Sequence, residues 1–337
     1  MLVSPNVTFA ETTRLLTETT RLLSDSPEKT SGWSGYVQYL AGGSIEKGLA
    51  NWSDDNKHIN SLDSKPSSYN EPFFVPLWQL GYTIPGEGTM LFFGTPDIRT
   101  VETPVAIEAG ISQEFADGSF FSASYSPKVS ELSADVWQDP YLTGEKRKRA
   151  ESSVEVLRFA AEYILGSPLS IRYSYSEQSI KDDHAGQSLK FRLTPGQLKQ
   201  LQRDTRLHNA SFLLTFPMSA YFYIIPKVHY AHAKAEGDVN SYTTTGFELT
   251  VFYQTRKFDF FANAYLNTNK YHKVNPIFNT KRNENNYGVS VGISYLTLFD
   301  WQNTSFELML SNTRNDSDIH FYDKRETVLM SGLTYSF

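Results

Sequence analysis

Charged side chains recur at every second position in several strand-like segments, which places them on the less apolar face of each segment. Carboxylates and cations on one face could brace a wall as ion pairs. They could also set up a transverse field that orders water and favours polar, neutral solutes, with little selectivity between ions. The two interpretations are compatible. The residues are Glu108, Glu114, Arg158, Glu162, Arg172, Lys227, Glu248, Asp259 and Glu307.

Aromatic residues share that face in some of the same segments. By parity they include Tyr36, Phe252, Phe261 and Tyr265. Aromatic rings in a polar channel can stack on the apolar faces of sugar rings, because they combine a hydrophobic body with a polarised face. The alternative is that they pack against a plug or a loop.

Other residues with chemical potential give weaker signals. Asp182, Asp183 and His184 are adjacent, but the sequence places no nucleophile near them, so we expect no catalytic residue and no enzymatic activity. The seven His residues lack metal-ligand spacing and Cys is absent, so we expect no metal and no cofactor. The basic run 146–149 could bind lipopolysaccharide phosphates or form a solvated loop tip.

Composition and periodicity indicate the elements that carry these residues. The 337 residues include 20 Tyr, 23 Phe and 5 Trp, the mean hydropathy is −0.40, and the net charge of −6 has no basic stripe suited to nucleic acid. No apolar run is long enough for a transmembrane helix. Segments of about ten alternating residues, separated by turn signals, are instead typical of a transmembrane β-barrel.

The sequence predicts an all-β, antiparallel up-and-down barrel of fourteen strands, although twelve would also fit. Short turns should alternate with long loops, and a short helix is expected at residues 194–199, where Thr194 precedes Pro195. Alternation places Leu308 toward lipid and Ser290 toward the lumen. The predicted strands are 33–42, 73–82, 90–96, 103–115, 119–126, 153–165, 169–177, 207–216, 221–233, 242–254, 258–269, 286–296, 304–312 and 325–337.

The last segment carries a family resemblance. Gly332, Tyr335 and Phe337 fall on the terminal pattern of Gram-negative outer-membrane barrels, whose last strand is read by the assembly machinery, although Met330 stands where that pattern has a polar residue. Residues 33–337 also resemble a family of functionally uncharacterised outer-membrane proteins. That second resemblance is carried by segments 64–68, 94–97, 135–140, 276–278 and 321–323. In size and architecture, monomeric fourteen-stranded cyclodextrin channels are the nearest characterised class.

Residues 1–32 do not have strand periodicity. They contain the repeat Thr-Thr-Arg-Leu-Leu at positions 12–16 and 19–23, which would place both Leu pairs on one face of a short helix. This segment could plug the lumen or extend into the periplasm. Residues 1–10 could be the remnant of an export signal or an ordinary N-terminus.

These observations together predict a monomeric channel in the outer membrane of a Gram-negative bacterium, for passive diffusion of small hydrophilic solutes such as oligosaccharides. Its expected partners are the lipid bilayer, lipopolysaccharide, the barrel-assembly machinery and the solute. A transporter of hydrophobic substrates is the closest alternative, which a lumen lined by Ser, Glu and Arg would disfavour. A surface enzyme or adhesin on the same barrel is the other.

Overall fold

A computed structural model describes residues 32–50, 56–95, 106–129 and 134–337. Long, β-branched and aromatic-rich segments form fourteen antiparallel strands. In chain order they are β1 (Gly32–Lys47), β2 (Ser68–Thr83), β3 (Thr89–Gly94), β4 (Glu108–Glu114), β5 (Phe120–Ser126), β6 (Arg149–Glu162), β7 (Leu169–Ile180), β8 (Thr205–Leu214), β9 (Phe222–Ala235), β10 (Tyr242–Gln254), β11 (Phe258–Tyr271), β12 (Glu284–Leu296), β13 (Thr304–Ser317) and β14 (Lys324–Ser336).

The sheet closes on itself as an up-and-down barrel. Every strand pairs with its neighbours in sequence, and β14 pairs with β1 from Lys47 opposite Arg325 to Tyr36 opposite Ser336. Closure satisfies the backbone groups that an open sheet would leave unpaired at its edges. The predicted fourteen-stranded barrel is therefore confirmed.

Outward and inward side chains differ in the way that the alternation predicts. Phe260, Leu266 and Leu308 are among the many exposed apolar residues of the outer face, whereas Asn263 and Ser290 are buried on the inner face. An apolar outer band over a polar interior is the pattern of a membrane-spanning barrel. Within the described part of the chain, no helix is long and apolar enough to cross a bilayer.

Short turns connect the strands at one end of the barrel and longer loops at the other. At the turn after β4, Gly118 adopts a φ of 81° and the Asp117 carboxylate accepts a hydrogen bond from the Ser119 N–H at 2.9 Å. The predicted helix is present in the loop after β7 as Pro195–Lys199, and Thr194 caps it through a capping box with Gln197.

Strand ends depart from the prediction in a consistent way. β1, β2 and β7 extend several residues beyond the predicted bounds, toward the long-loop end. Several outward residues there, such as Lys47, Ser68 and Asn70, are polar, so hydropathy marks the strand only weakly. β3, β4 and β5 are the shortest of the fourteen. The leading repeat and the proposed plug lie outside the described residues.

Four smaller pieces complete the long-loop and turn regions. A strand at Ala134–Trp137 pairs with the outer end of β6, and Phe216–Ser219 pairs with β9. Val274–Asn275 and Thr280–Lys281 form a separate hairpin in the loop after β11. These pieces matter below because two of the loops that contain them, those after β5 and β11, take part in covering the barrel mouth.

Candidate functional site: the barrel interior and its loop cap

Strand parity carries the predicted charged residues to the inside of the barrel. Glu108, Glu162, Lys227, Glu248 and Glu307 are buried there, and the inward-facing Arg158, Arg172 and Asp259 are partly buried. The structure brings six of these residues together as pairs. Their joint role in handling a solute stays a prediction.

Each of the three predicted cations forms an ion pair across the inner wall. Arg158 on β6 contacts Glu108 on β4 at 3.2 Å, and Arg172 on β7 contacts Glu162 on β6 at 2.6 Å. Lys227 and Glu248 are direct cross-strand partners of β9 and β10, with Nζ 2.8 Å from a carboxylate oxygen. Mutual attraction offsets the cost of removing these charges from water, so loss of one partner would leave a buried charge uncompensated.

Two further predicted carboxylates, Glu307 and Asp259, lie in other surroundings. The Glu307 carboxylate accepts hydrogen bonds from Gln38 Nε2 at 3.2 Å and Thr334 Oγ1 at 3.1 Å, which link β13, β1 and β14. Asp259 lies near the short-turn end of β11, and among the described residues it forms no ion pair. These two residues are therefore not brought together with the pairs.

The predicted aromatic residues of β11 lie flat against the wall. Tyr265 and Phe261 face inward opposite Gly288 and Gly292 of β12. A Cβ built on Gly288 would come within 2.6 Å of Cε1 of Tyr265, and one on Gly292 would collide with the Phe261 ring. Each ring thus covers backbone that carries no side chain, and both rings are buried.

An apolar row that the sequence interpretation missed lies beside the polar residues. Tyr223, Phe252, Phe261, Met309 and Met330 occupy successive cross-strand positions on β9, β10, β11, β13 and β14. They belong to one buried cluster with Leu40, Leu77, Leu213 and Ile225. The expected lumen of Ser, Glu and Arg was therefore wrong in part, because parity identified Phe252 and Phe261 as inward but not the Tyr and Met residues in register with them.

Above this row toward the long loops, the wall becomes polar. Thr250, Asn263, Ser290 and Ser311 form the next cross-strand row, in which Asn263 Nδ2 donates to Thr250 Oγ1 at 2.8 Å and Ser290 and Ser311 share a hydrogen bond of 2.8 Å. Lys227, Glu248, Tyr265 and Gly288 form the row beyond it. Hydrogen-bonding capacity thus increases from the short-turn end toward the mouth.

The long loops pack together as a loop cap, by which we mean the buried cluster of Leu49, Ile59, Tyr141, Ala185, Leu201, Val239, Ile319, Phe321 and Tyr322 with the side chains around it. These residues come from five loops attached around the whole wall. The Tyr141 and Tyr322 hydroxyls are 2.6 Å apart although their loops follow β5 and β13. Contacts between loops from opposite sides of a closed barrel must lie across its mouth.

Arg147 holds the cap from inside. Its guanidinium donates to the carbonyl oxygens of Asn56, Leu49 and Pro140, and it lies 4.6 Å from the ring centroid of Trp137. Burial lowers the pKa of Arg147 to about 10, with Asp139 acting in the opposite direction. The basic run 146–149 is therefore not one exposed patch, because Arg147 is buried and Arg149 pairs with Asp135 at 3.0 Å.

A second cation lies where the cap meets the barrel. Arg282 is stacked over the rings of Tyr322 at 3.8 Å and Tyr271 at 5.0 Å, and it donates to Glu284 at 2.6 Å. Burial alone would lower the pKa of Arg282, but Glu284 and the two tyrosines raise it above its ordinary value. Asn275 also donates to the Tyr322 hydroxyl, at 3.4 Å.

The adjacent residues Asp182, Asp183 and His184 contribute a structural contact to the cap. Asp183 accepts from Arg203 at 2.6 Å, and Arg203 donates in turn to the carbonyl of Trp137 at 2.8 Å. No cluster of His, Asp and Glu among the described residues could hold a metal ion. The resemblance segments 135–140, 276–278 and 321–323 all meet in this cap, which parity could not reveal.

Comparison with known proteins identifies one family. A family described as "Protein of unknown function (DUF2860)" matches residues 32–336. No curated protein matches the sequence. Among solved structures, the chain is similar to the CymD monoaromatic hydrocarbon channel, with 10% identity, a TM-score of 0.48, and 99% and 95% of the two chains covered.

Two further solved barrels have comparable similarity. For the Pseudomonas putida toluene transporter TodX, the identity is 9% and the TM-score 0.42, over 94% of this chain and 93% of that one. For an anion-selective porin from Comamonas acidovorans, the identity is 7% and the TM-score 0.41, over 90% and 100%. These similarities concern barrel architecture and carry nothing about substrate.

Proposed function

This chain belongs to the family described as "Protein of unknown function (DUF2860)", and we propose that it is an outer-membrane channel for passive diffusion of small hydrophilic solutes in a Gram-negative bacterium. The observation that carries the proposal is the contrast between an apolar outer face and an inner wall crossed by ion pairs and hydrogen-bonded rows. Barrels of about eight strands are filled by side chains, and those of sixteen to eighteen leave a water channel. Fourteen strands support a narrow passage.

The arrangement of charge supports neutral solutes. Arg158, Arg172 and Lys227 each have a carboxylate partner on the wall, so the charges of these pairs cancel, and the inward carboxylates of Asp259 and Glu307 lie outside the pairs. A balanced wall orients water and polar groups but gives little preference between cations and anions. Oligosaccharides suit such a wall, because the inward faces of Phe261 and Tyr265 could stack on sugar rings beside hydrogen-bonding side chains.

Planar-bilayer recording tests the proposal. The purified protein should produce small, stepwise conductances in KCl with nearly equal permeability to K⁺ and Cl⁻, and a panel of neutral di- and trisaccharides should interrupt the current. An absence of conductance would overturn the proposal that the protein is a channel. A strong preference for one ion would contradict the balanced wall.

The apolar row favours one alternative, a transporter of hydrophobic substrates. Tyr223, Phe252, Met309 and Met330 give the short-turn end of the interior a surface that could receive a small apolar molecule. Proteoliposomes distinguish the two functions. Accelerated uptake of a labelled aromatic hydrocarbon without sugar flux would replace our proposal, and sugar flux without hydrocarbon uptake would support it.

We also propose how the chain reaches and occupies the membrane. Gly332, Tyr335 and Phe337 would act as the assembly signal, lipopolysaccharide would surround the long-loop end, and the protein would be a monomer. Tyr335 and Phe337 stack at 6.3 Å, and the backbone of Phe337 exchanges two hydrogen bonds of 2.9 Å with Gly35. Phe337→Ala should lower outer-membrane accumulation in cells more than refolding into detergent. Equal effects in both would argue for packing alone.

A further inference from the structure

Three asparagines form a row across neighbouring strands of the inner wall. Asn267 on β11 is the cross-strand partner of Asn286 on β12, which is in turn the partner of Asn315 on β13. All three face the interior, with exposed fractions of 1%, 4% and 9% respectively. We call these residues the asparagine row.

The hydrogen bonds of the asparagine row are incomplete. Both Nδ2 and Oδ1 of Asn267, Nδ2 of Asn286 and Oδ1 of Asn315 lack a hydrogen-bond partner among the described residues. The Nδ2 of Asn315 is committed to Glu284 at 3.2 Å and to the Tyr322 carbonyl at 2.9 Å. A buried polar atom without a partner costs free energy, so a group that can pair with it binds favourably.

The amides of Asn267 and Asn286 could pair with each other but do not. Directly opposed residues on antiparallel strands have Cβ atoms roughly 4.5–5.5 Å apart, within reach of a direct amide–amide bond. These unsatisfied atoms are all buried, and Asn267 Oδ1 lies over Gly246 beside the His229 ring. The row is thus organised for a third group that both donates and accepts.

The surroundings of the row supply an apolar surface and charged groups already engaged in ion pairs, including Lys324, the cross-strand partner of Asn315, which lies 3.1 Å from Glu46 and 3.2 Å from Glu326. Tyr265, one row toward the short-turn end, lies flat over Gly288. Its neighbours Lys227 and Glu248 neutralise each other at 2.8 Å, as Arg282 and Glu284 do at 2.6 Å on the other side. Asn263, two positions below Tyr265 on β11, adds another acceptor, its Oδ1, which also lacks a partner among the described residues.

These features select a ligand chemistry. An amide presents two donors and an acceptor with two lone pairs, and a hydroxyl group both donates and accepts. A ligand with adjacent hydroxyls can therefore bridge Asn267 and Asn286, and a ring with an apolar face can cover Tyr265. A charged ligand would lie beside ion pairs that are already neutral and would have no counter-charge.

We propose that the asparagine row, with the Tyr265 ring, is a binding site for a neutral carbohydrate. This inference rests on the proposed channel and names where in the passage the sugar is held. The row makes Asn267 and Asn286 specificity-determining residues. Sugars with adjacent free hydroxyls bind, whereas polyethers of similar size, whose chain oxygens only accept hydrogen bonds, do not.

The test is sugar-induced block of single-channel current, with maltose, sucrose and lactose as probes and a short polyethylene glycol as comparator. Asn267→Leu should raise the concentration of the best-binding sugar that gives half block about tenfold or more, the effect of losing roughly 1.4 kcal/mol of binding. Asn312→Ala is the matched control, since that asparagine faces away from the interior and donates to Thr327.

A second measurement separates a ligand site from a structural role. Because Asn267 has no described partner, Asn267→Leu should leave the urea midpoint of the refolded barrel unchanged or higher, whereas loss of a structural amide would lower it. Unchanged sugar block in Asn267→Leu would overturn the site. So would a wild-type channel that conducts but is blocked by no sugar of the panel.

Failure of the channel itself has a different signature. A protein without any conductance would overturn the proposed function, and titration calorimetry of the same sugars with the detergent-solubilised barrel would then decide the site alone. Sugar binding that disappears in Asn267→Leu but not in Asn312→Ala would support the site. Absence of sugar binding to the wild-type barrel would overturn it.

Discussion

The buried ion pair of Lys227 and Glu248 shows how strongly single residues act in this interior. The two side chains are paired directly across β9 and β10 and are almost fully buried. Parity alone predicted that both face inward. Their contact could not be predicted in the same way, because it depends on the register of two strands joined by a loop whose conformation fixes that register.

Lys227→Met should lower the free energy of unfolding by about 3–5 kcal/mol, since Glu248 would keep a buried charge without its partner. The double variant Lys227→Met/Glu248→Leu should recover much of that loss. Urea unfolding in lipid vesicles, followed by tryptophan fluorescence, measures both. Lys270→Met on the exposed outer face of β11 serves as control, and a Lys227→Met variant as stable as this control would show that the pair contributes little.

His320 offers a pH-dependent contact that can be observed by itself. Its Nδ1 lies 3.0 Å from the Asp323 carboxylate, and that hydrogen bond raises the pKa of His320 above its ordinary value of 6.5. The contact therefore contributes stability at pH values below 6.5, and the contribution is lost as pH rises through the raised pKa.

An NMR titration of the His320 ring should give a midpoint above 6.5 that falls in Asp323→Asn. His58, which lies outside this contact, supplies an internal reference in the same spectra. A midpoint that is the same with and without the Asp323 carboxylate would contradict the assigned cause.

Strands are the elements that the sequence predicts best. All fourteen predicted strands are present, because alternation of outward apolar and inward polar residues leaves a clear signal wherever the outer face meets lipid. The signal fades at the long-loop ends of β1 and β2, where outward residues such as Lys47 and Ser68 are exposed and polar. Hydropathy therefore underestimates strand length there.

A pair of arginine substitutions tests the two faces of the wall. Leu308 is 42% exposed on the outer face, and Ser290 is 5% exposed on the inner face. Leu308→Arg should lower stability by about 2–4 kcal/mol if it lies near the bilayer midplane, whereas Ser290→Arg should be tolerated and should change conductance. Urea titration and single-channel recording of both variants give the comparison. An equal loss of folded protein in the two variants would show that our assignment of the outer and inner faces is wrong.

The level of a residue along the barrel axis is harder to predict than its face. Asn267 and Asn286 are separated in the chain by the loop 272–283. A change of two residues in the register between β11 and β12 would separate their amides, although both side chains would still face the barrel interior. The asparagine row and the apolar row both depend on the register between neighbouring strands, which cannot be read from the sequence of one strand. Parity found Phe261 and Tyr265, but not the glycines beneath them.

The whole molecule adds a loop cap that no local pattern indicates. Its residues come from loops on opposite sides of the wall, and Arg147 joins three of their carbonyl groups. The sequence interpretation placed Arg147 in an exposed run of four basic residues. The charge of Arg147 favours an exposed position, but tertiary packing and its contact with the Trp137 ring place it inside the cap.

Arg147→Ala should loosen the loop cap, because three carbonyl oxygens would lose their donor in a buried site. We expect faster cleavage of the loops by chymotrypsin and a larger mean conductance, with the barrel itself still folded. Lys148→Ala, at the neighbouring exposed position, should do neither. If both variants match the wild-type cleavage pattern, Arg147 is not what holds the cap.

The way in which the cap is joined has a consequence for the order of events in folding. Tyr141 and Tyr322 are 181 positions apart in the chain, and only a completed ring of strands brings their loops to one place. Contacts between residues so far apart in the sequence form late, because the intervening chain must lose its conformational entropy before these contacts can stabilise the fold. The mouth would therefore remain uncovered while the wall assembles and become covered last. Protection of the loops against protease would then report, in a single time course, the moment at which each molecule has matured.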